Sequence, residues 1–464
     1  MPGTRSAADL RGDTIAAIAT AAGRGALAVV RLSGPDAPAI AARVGCPADL
    51  PARTVVRVRL HHPDAPARAI DDALVTRFAA PRSFTGEAMV ECSVHGGSYV
   101  SQVLLAALVA AGARPALPGE FTERALRNGK LGLLEAEAIA DLIEARSGAM
   151  HRAALRQLDG LLTRRLDALR EALLDTEALL AYEIDFPEED DGPQPRSRAT
   201  AAAEGVLEAL EALLATRPQA ELGRDGLVVV LAGAPNAGKS SLFNALAGAP
   251  RAIVSAIPGT TRDALELVVD DDPWPLRYVD TAGLRDTADA LEQLGVEVSR
   301  RRLAAAHLVL VCADDDAALA SACAAVAAHT RAPRLAVRTK ADLLSDAPWR
   351  APDGLDVVGA VAVSATTGTG LEALRLAIRA CTRPLAPEPL EDLPVVTGAR
   401  HAHAIEQARE EVHRFLDAWR TAALPAPVAA THLRAAVHAL DELLGGIDTD
   451  AIIGRVFRTF CVGK

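Results

Sequence analysis

Residues 233–240 have the composition and spacing of a phosphate-binding loop. They read Gly-Ala-Pro-Asn-Ala-Gly-Lys-Ser, which fits G-x-x-x-x-G-K-S, and they lie between an apolar run, 227–232, and a helical run. Glycines in this pattern let backbone N–H groups face phosphate oxygens at a helix N-terminus, where an anion is favoured. We predict that Lys239 reaches the β and γ phosphates and that Ser240 binds Mg²⁺. A ligand-free glycine-rich turn is disfavoured by the flanking strand and helix.

A second segment supplies a carboxylate for the metal. Asp280, Thr281, Ala282 and Gly283 follow the apolar run 276–279. The carboxyl end of a strand beside a phosphate-binding loop is where a group that supports the phosphate-bound Mg²⁺ belongs. We predict that Asp280 supports the ion and that the Gly283 amide senses a γ-phosphate.

A third set of residues is suited to reading a purine base. Thr339, Lys340, Ala341 and Asp342 follow the apolar run 335–338, and Ser364, Ala365 and Thr366 follow the run 357–363. A carboxylate at position 342 can accept the N1 and N2 protons of guanine, a donor pair that adenine lacks, so the sequence predicts GTP over ATP. The Lys340 stem is predicted to lie along the base, and the 364–366 loop to meet the guanine carbonyl with a backbone N–H.

Lysine usage agrees with a nucleotide site. Lysine occurs only at 130, 239, 340 and 464, while Lys and Arg together number 49. In a chain so biased toward arginine, the remaining lysines mark positions that need a compact ammonium. Two of the four fall inside the motifs described above.

Composition excludes several classes of protein. The chain has 464 residues, 50% of them hydrophobic, which predicts roughly three domains. A net charge of −11 argues against a protein that coats nucleic acid with a broad basic face. The six cysteines are far apart without metal-ligand spacing, which indicates a reducing, cytoplasmic location. We expect no membrane span and no secretory signal.

The pattern of apolar residues along the chain predicts a multidomain fold with α/β and α-helical domains. Residues 1–125 mix short strands at 26–32, 54–60, 73–78 and 89–94 with an apolar helix after Gly97, typical of a small α+β domain. Residues 126–222 and 384–464 have amphipathic helical spacing, and residues 223–383 alternate strands and helices, typical of a doubly wound parallel sheet. We predict that the α/β domain is inserted into a helical domain, since the two helical parts can bury their apolar stripes on each other. The acidic run 188–191 is read as a surface loop.

Further segments along the whole chain carry a resemblance to a known family. These include Asp13-Thr-Ile-Ala, Arg31-Leu-Ser-Gly, Ser83-Phe-Thr-Gly-Glu, Pro118-Gly-Glu-Phe, the switch-like 255–263 and the terminal Phe460-Cys-Val-Gly-Lys. With the P-loop they make the chain resemble the MnmE (TrmE) family of tRNA modification GTPases, in the Era-like branch. The resemblance implies a folate-binding N-terminal domain, a helical domain and an inserted Ras-like GTPase domain.

The resemblance also implies a potassium-activated GTP hydrolase. It assigns K⁺ binding to Asn236, Ser255, Ile257 and Thr260, Mg²⁺ binding to Thr261 beside Ser240, and positioning of the attacking water to Glu292. The remaining nucleotide contacts that it implies are Ala237, Gly238, Ser241, Ala256, Pro258 and Gly259. An asparagine chosen only for loop geometry is the alternative at position 236. A fixed cation beside the leaving phosphate would lower the barrier electrostatically.

Partners and a second ligand follow from the same resemblance. It implies a homodimer whose N-terminal domain binds a tetrahydrofolate derivative, 5-formyl or 5,10-methylene, through Arg31, Glu91, Lys130 and Lys464, with Cys461 nearby. A flavoprotein partner, MnmG (GidA), would supply FAD in a heterotetramer or larger complex. The complex would bind tRNA and modify carbon 5 of the wobble uridine, giving a carboxymethylaminomethyl-type product.

Two positions depart from the family pattern, and rival functions stay open. Thr339 replaces the usual asparagine of the guanine motif, which predicts weaker GTP binding with guanine preference intact, and Ala234 replaces a common arginine. A ribosome-assembly GTPase of the Era-like branch, a folate enzyme with an inactive GTPase domain and a pure scaffold are the alternatives.

Overall fold

The structure is a computed structural model that forms two compact units. It describes residues 12–185, 196–248, 252–255, 266–271, 273–280, 301–344, 349–386, 394–421, 424–446, 457 and 460–463. The first unit takes in residues 1–140, 158–207 and 407–464, and the second takes in residues 141–157 and 208–406. No helix within these described ranges has the length and apolarity that crossing a bilayer requires.

The helices are numbered in chain order. They are α1 Ala37–Arg43, α2 Ser98–Ala110, α3 Glu120–Arg127, α4 Leu133–Glu144, α5 Gly148–Leu158, α6 Leu161–Asp185, α7 Arg196–Leu214, α8 Arg217–Asp225, α9 Lys239–Ala247, α10 Asp316–Ala327, α11 Leu371–Thr382, α12 Ala399–Thr421 and α13 Ala426–Leu444.

The first unit contains a six-stranded sheet. Its strands are β1 Ile15–Ile18, β2 Leu27–Ser33, β3 Val55–His62, β4 Ala65–Phe78, β5 Met89–His95 and β6 Arg114–Pro115, in the order β3-β4-β5-β2-β1-β6. Alternate residues such as Val30 and Leu32 of β2 are buried in a core shared with α1 and α2. The four predicted strands are confirmed. β1 and β6, which have only four and two residues, were not predicted from the sequence.

A buried network of charges ties the start of the chain to α3. Arg124 is 5% exposed and donates to Asp13 Oδ1 at 2.6 Å, Glu120 Oε1 at 3.1 Å and Glu87 Oε2 at 3.2 Å. Arg114 donates to Asp13 Oδ2 at 2.7 Å and to Glu120 Oε1 at 2.6 Å. Three of the family-like segments, those with Asp13, Glu87 and Glu120, therefore meet in one network.

The two helical parts of the chain pack on each other within the first unit. Leu162, Leu166, Leu169 and Leu173 of α6 are buried at spacings of three and four, and α6 lies against α13. Arg170 Nε donates to Asp441 Oδ1 at 2.5 Å across this pair. The prediction that the inserted domain interrupts one helical domain is confirmed at this contact.

The second unit contains a seven-stranded sheet in the order β13-β12-β11-β7-β10-β9-β8. The strands are β7 Leu227–Ala232, β8 Ala252–Ser255, β9 Glu266–Val269, β10 Leu276–Asp280, β11 Leu308–Ala313, β12 Arg334–Arg338 and β13 Gly359–Ala362. The five strands predicted from the sequence pair in parallel, with β7, β11 and the interior of β12 buried. The sequence analysis missed β8 and β9, and β9 runs antiparallel to both of its neighbours, so the sheet is mixed rather than wholly parallel.

The chain stays helical further than the sequence indicated. The predicted change from helices to the α/β pattern after residue 222 falls inside a helix, because α8 continues to Asp225 and ends at Gly226, which has a φ of 70°. The predicted domain boundaries after residues 125, 222 and 383 stay predictions. The acidic run 188–191 lies outside the described residues.

The Arg124 network generates a prediction about stability. Replacing Arg124 with Met removes the cation that contacts Glu87 and leaves Arg114 to compensate both Asp13 and Glu120, so we expect a loss of about 3 kcal/mol in unfolding free energy. Urea unfolding measures this loss. The control is Arg57→Met, because the Arg57–Asp72 pair is 76% and 39% exposed and should cost under about 1 kcal/mol. Equal losses in the two variants would contradict the role of the network.

The same network gives stability a pH dependence. Burial raises the pKa of Asp13, but hydrogen bonds from Arg114 and Arg124 outweigh it and hold the pKa below its usual value. The contribution of Asp13 is therefore complete above its unfolded pKa of about 3.9 and is lost as pH falls below that value.

Candidate nucleotide site

The phosphate-binding loop lies so close to β11 and β12 that two of its residues must be glycine. A side-chain carbon on Gly233, whose φ is 150°, would lie 2.1 Å from the Cys312 carbonyl oxygen. Gly238 has a left-handed φ of 79°, and a side-chain carbon there would lie 3.2 Å from Thr339 Cβ. Burial raises the pKa of the Cys312 thiol to about 12, so this neighbour is uncharged at neutral pH.

Lys239 is the first residue of α9, and its ammonium lies inside the loop. The residue is 5% exposed, and Nζ donates to the carbonyl oxygens of Gly233 at 2.9 Å and Ala234 at 2.7 Å. These contacts hold the buried cation above the N-terminus of α9. A positive charge and the helix N-terminus thus converge at one place, as a bound phosphate requires.

The predicted magnesium groups lie side by side. Asp280, the last residue of β10, is 1% exposed, and its Oδ2 accepts a hydrogen bond of 2.9 Å from Ser240 Oγ. A hydroxyl and a carboxylate in contact are the hard oxygen groups that suit Mg²⁺. The structure brings these two predicted residues together.

Thr339 ties the base motif to the phosphate-binding loop. Its buried hydroxyl lies 2.9 Å from the Ala237 carbonyl oxygen and 3.1 Å from the Ala313 carbonyl oxygen, and its backbone N–H also donates to Ala313. The hydroxyl has one proton for two acceptors. Thr339 thus makes the link to the loop, with one donor where an asparagine amide has two.

The rest of the base motif forms a short turn at the strand ends. Lys340 has a left-handed φ of 53°, and its Nζ donates to Asp314 Oδ2 at 2.5 Å. Asp342 is exposed in a 3-10 turn, and the Ala341 N–H donates to the Val363 carbonyl. Asp342 is therefore open to a base.

The 364–366 loop is braced by its own hydrogen bonds. The buried Ser364 donates its backbone N–H to the Thr369 carbonyl at 2.9 Å, and its hydroxyl accepts from the Thr367 N–H. Since the Ser364 N–H is already used, the predicted contact to a guanine carbonyl falls to Ala365 or Thr366.

Several predicted site residues are exposed or lie outside the described residues. Asn236 has a left-handed φ of 62° and is exposed, as is Ser241, while Ser255 is the last residue of β8. Ala256, Ile257, Pro258, Gly259, Thr260, Thr261, Thr281, Ala282, Gly283, Glu292 and Lys464 lie outside the described residues.

The residues assigned to folate converge only in part. Arg31 Nη2 donates to Glu91 Oε1 at 2.9 Å, and Nη1 donates to the Gly463 carbonyl at 3.3 Å, so the end of the chain lies beside Arg31. The Arg31 guanidinium lies 5.5 Å from the centre of the Phe121 ring. Its Nε is buried with no hydrogen-bond partner in the described part of the chain.

The other two described residues of this set have separate contacts. Lys130 Nζ donates to the Pro81 carbonyl at 3.1 Å. Cys461 is exposed, and its carbonyl accepts from the Gly119 N–H at 3.3 Å.

Sequence reasoning missed two residues in these places. Asp314 follows the buried strand β11 just as Asp280 ends β10, so an acid at a strand end was the signal that would have found it. Phe121 lies in the family-like segment 118–121, but its contact with Arg31 was not predicted, because it joins residues far apart in the sequence.

Comparison with known proteins decides the family. The MnmE helical domain family matches residues 133–461, and the family described as the GTP-binding protein TrmE N-terminus matches residues 14–130. The chain belongs to the MnmE family. Its similarity to curated members covers nearly the full length of each.

Two relatives illustrate that similarity. The tRNA modification GTPase MnmE of Akkermansia muciniphila is 40% identical over 457 residues, which covers 97% of this chain and 99% of the relative. The tRNA modification GTPase MnmE of Azoarcus sp. is 41% identical over 462 residues, covering 97% and 98%.

Thr339 generates a prediction about nucleotide affinity. An asparagine at this position can donate to the Ala237 and Ala313 carbonyls at once, so Thr339→Asn should tighten GTP binding by roughly 2- to 12-fold. Thr339→Val removes the hydroxyl, leaves the Ala237 carbonyl unpaired and should weaken binding by a factor of at least about five.

Fluorescence titration with a labelled GTP analogue measures both effects. The matched control is Thr200→Val, where the lost hydroxyl donates to the Arg196 carbonyl in an exposed hydrogen bond within α7. If Thr339→Val binds as tightly as the parent protein, the link to the loop does not support the site.

Proposed function

We propose that this chain is a potassium-activated GTPase that modifies tRNA together with a flavoprotein. As a member of the MnmE family it is a GTPase. The observation that carries the proposal is the meeting of three motifs at one edge of the seven-stranded sheet, where Thr339 contacts the loop that holds Lys239 and Ser240 contacts Asp280. Full-length similarity to relatives named tRNA modification GTPases favours this function over ribosome assembly.

The groups around Lys239 bind and orient the nucleotide. Lys239 already lies against two loop carbonyls, and a phosphate would take over as its partner at the N-terminus of α9. Ser240 and Asp280 fit Mg²⁺ because their oxygens are hard and in contact, and Thr261 is proposed to join them. When bound, Mg²⁺ neutralises charge on the β and γ phosphates. Asp342 is proposed to select guanine.

We propose that K⁺ binds beside the phosphates. The Asn236 side chain is exposed, and its neutral amide oxygen suits a large monovalent cation better than Mg²⁺. The carbonyls of Ser255 and Ile257 and the Thr260 side chain are the other proposed ligands, and Glu292 is proposed to orient the attacking water. These residues would hold K⁺ where its charge would stabilise the negative charge of the leaving phosphate.

The potassium site is tested by comparing GTP hydrolysis in KCl and in NaCl. We expect at least about tenfold faster hydrolysis in KCl, and Asn236→Ala should remove that difference by deleting a ligand. Asn244→Ala is the matched control, since Asn244 is an exposed residue of α9 in the same unit. Equal rates in the two salts for the parent protein would exclude the site.

We propose that the reaction served by this GTPase is modification of carbon 5 of the wobble uridine. The carbon unit would come from a 5-formyl or 5,10-methylene tetrahydrofolate, and MnmG would supply FAD and most of the tRNA-binding surface. A net charge of −11 and 3% aromatic residues favour a partner, rather than this chain, as the source of most RNA contacts. A homodimer in a heterotetramer or larger complex, working in the cytoplasm, completes the proposal.

The contacts of Arg31 support a folate site in the first unit. Its buried Nε has no hydrogen-bond partner in the described part of the chain, and its guanidinium lies over Phe121 near Gly463. Because Arg31 also pairs with Glu91, the two residues are better suited to the pterin edge than to the anionic glutamyl tail. Lys130, Lys464 and the nearby Cys461 remain proposed contacts.

Binding of 5-formyltetrahydrofolate tests this site. Replacing Arg31 with Ala removes its charged donors, so calorimetric titration should show affinity lower by roughly tenfold or more. The control is Arg59→Ala, which removes an exposed arginine from β3 of the same sheet. Unchanged affinity in Arg31→Ala would place the folate elsewhere.

A further inference from the structure

Asp314 is a charged residue at the nucleotide edge that no motif includes. It directly follows β11, and the preceding residue, Ala313, accepts hydrogen bonds from both the N–H and the hydroxyl of Thr339. Its Oδ2 accepts from Lys340 Nζ at 2.5 Å. Asp314 therefore lies where the base motif meets the sheet.

The backbone on either side of Lys340 is held in place. The Thr339 N–H donates to the Ala313 carbonyl at 2.8 Å, and the Ala341 N–H donates to the Val363 carbonyl at 3.0 Å. Lys340 itself has a left-handed φ of 53°, which is uncommon for a residue other than glycine. The backbone of Lys340 is therefore fixed, while its four-carbon side chain can still rotate about several bonds.

The ion pair fixes that stem. Both side chains are partly exposed, 41% for Lys340 and 39% for Asp314, so the pair itself adds little to fold stability. The hydrogen bond from Lys340 holds the pKa of Asp314 below its usual value, so the carboxylate is charged at neutral pH.

We propose that Asp314 is a positioning residue for the nucleotide base. This inference rests on the proposed GTP-binding function. By anchoring the ammonium of Lys340, Asp314 extends the lysine stem along the wall of the base site before a nucleotide arrives. The Lys340 side chain then loses its conformational entropy in the free protein rather than on binding, so the affinity for the nucleotide is higher. Because a hydrocarbon stem packs against the flat face of any purine, Asp314 affects affinity and leaves guanine selectivity to Asp342.

A double-mutant cycle tests the proposal. Dissociation constants for GDP and IDP are measured for the parent protein, Asp314→Asn, Lys340→Met and the double variant. We expect Asp314→Asn to weaken both nucleotides by the same factor, roughly three- to tenfold, and to change nothing further once Lys340 is Met. In hydrolysis assays the change should lie in KM rather than kcat, and Asp314→Glu should recover part of the loss.

The control and the contrary outcomes are distinct. Asp353→Asn removes an exposed acid elsewhere in the same unit and should leave both dissociation constants unchanged. The inference is wrong if Asp314→Asn weakens binding by the same factor whether position 340 is Lys or Met. It is also wrong if Asp314→Asn does not weaken binding at all. In both cases the proposed function stands. If the parent protein binds neither nucleotide, the proposed function fails and this inference with it.

Discussion

The site depends on the contact between the Thr339 hydroxyl and the Ala237 carbonyl, which joins two strands that are not neighbours in the sheet. β7 carries the phosphate-binding loop and β12 carries the base motif, and β11 lies between them. The loop reaches across the end of β11 only because Gly233 lets its backbone approach the Cys312 carbonyl. A side chain at either glycine of the loop would separate the phosphate groups from the base groups.

Lys239, Asp280 and Lys340 all have partners within the protein. Lys239 lies against loop carbonyls, Asp280 accepts from Ser240, and Lys340 pairs with Asp314. A phosphate or Mg²⁺ can replace the partners of Lys239 and Asp280, whereas Lys340 keeps its pairing with Asp314, since a buried or half-buried charge without a partner is expensive. In the first unit the charges of the Arg124 network neutralise one another inside the fold, so this network contributes to stability rather than to ligand binding.

Local signals in the sequence predicted much of this architecture. Apolar runs that end in Gly, Asp or Thr marked the strands β7, β10 and β12, and leucines spaced three and four apart marked α6. β6 and β9 were missed because strands of two and four residues have too little periodicity to be recognised and depend on their neighbours for pairing. The continuation of α8 through Gly223 shows tertiary packing overriding a weak helix former.

The contacts within the nucleotide motifs were predicted, but the ion pairs that the motifs make with other residues were not. The motif positions 239, 240, 280 and 339 do meet, since carboxyl ends of parallel strands share one edge. The pairing of Arg31 with Glu91 and of Lys340 with Asp314 depends on side-chain directions that spacing along the chain does not specify.

Hydrogen–deuterium exchange of the whole protein with GDP and Mg²⁺ tests the central claim, that one nucleotide spans the loop and the base motif. The account predicts that backbone amides in residues 236–241, 339–342 and 364–366 become protected together as GDP is added, while β2 and β5 do not change. Protection confined to the 236–241 segment, with no change at 339–342, would contradict it.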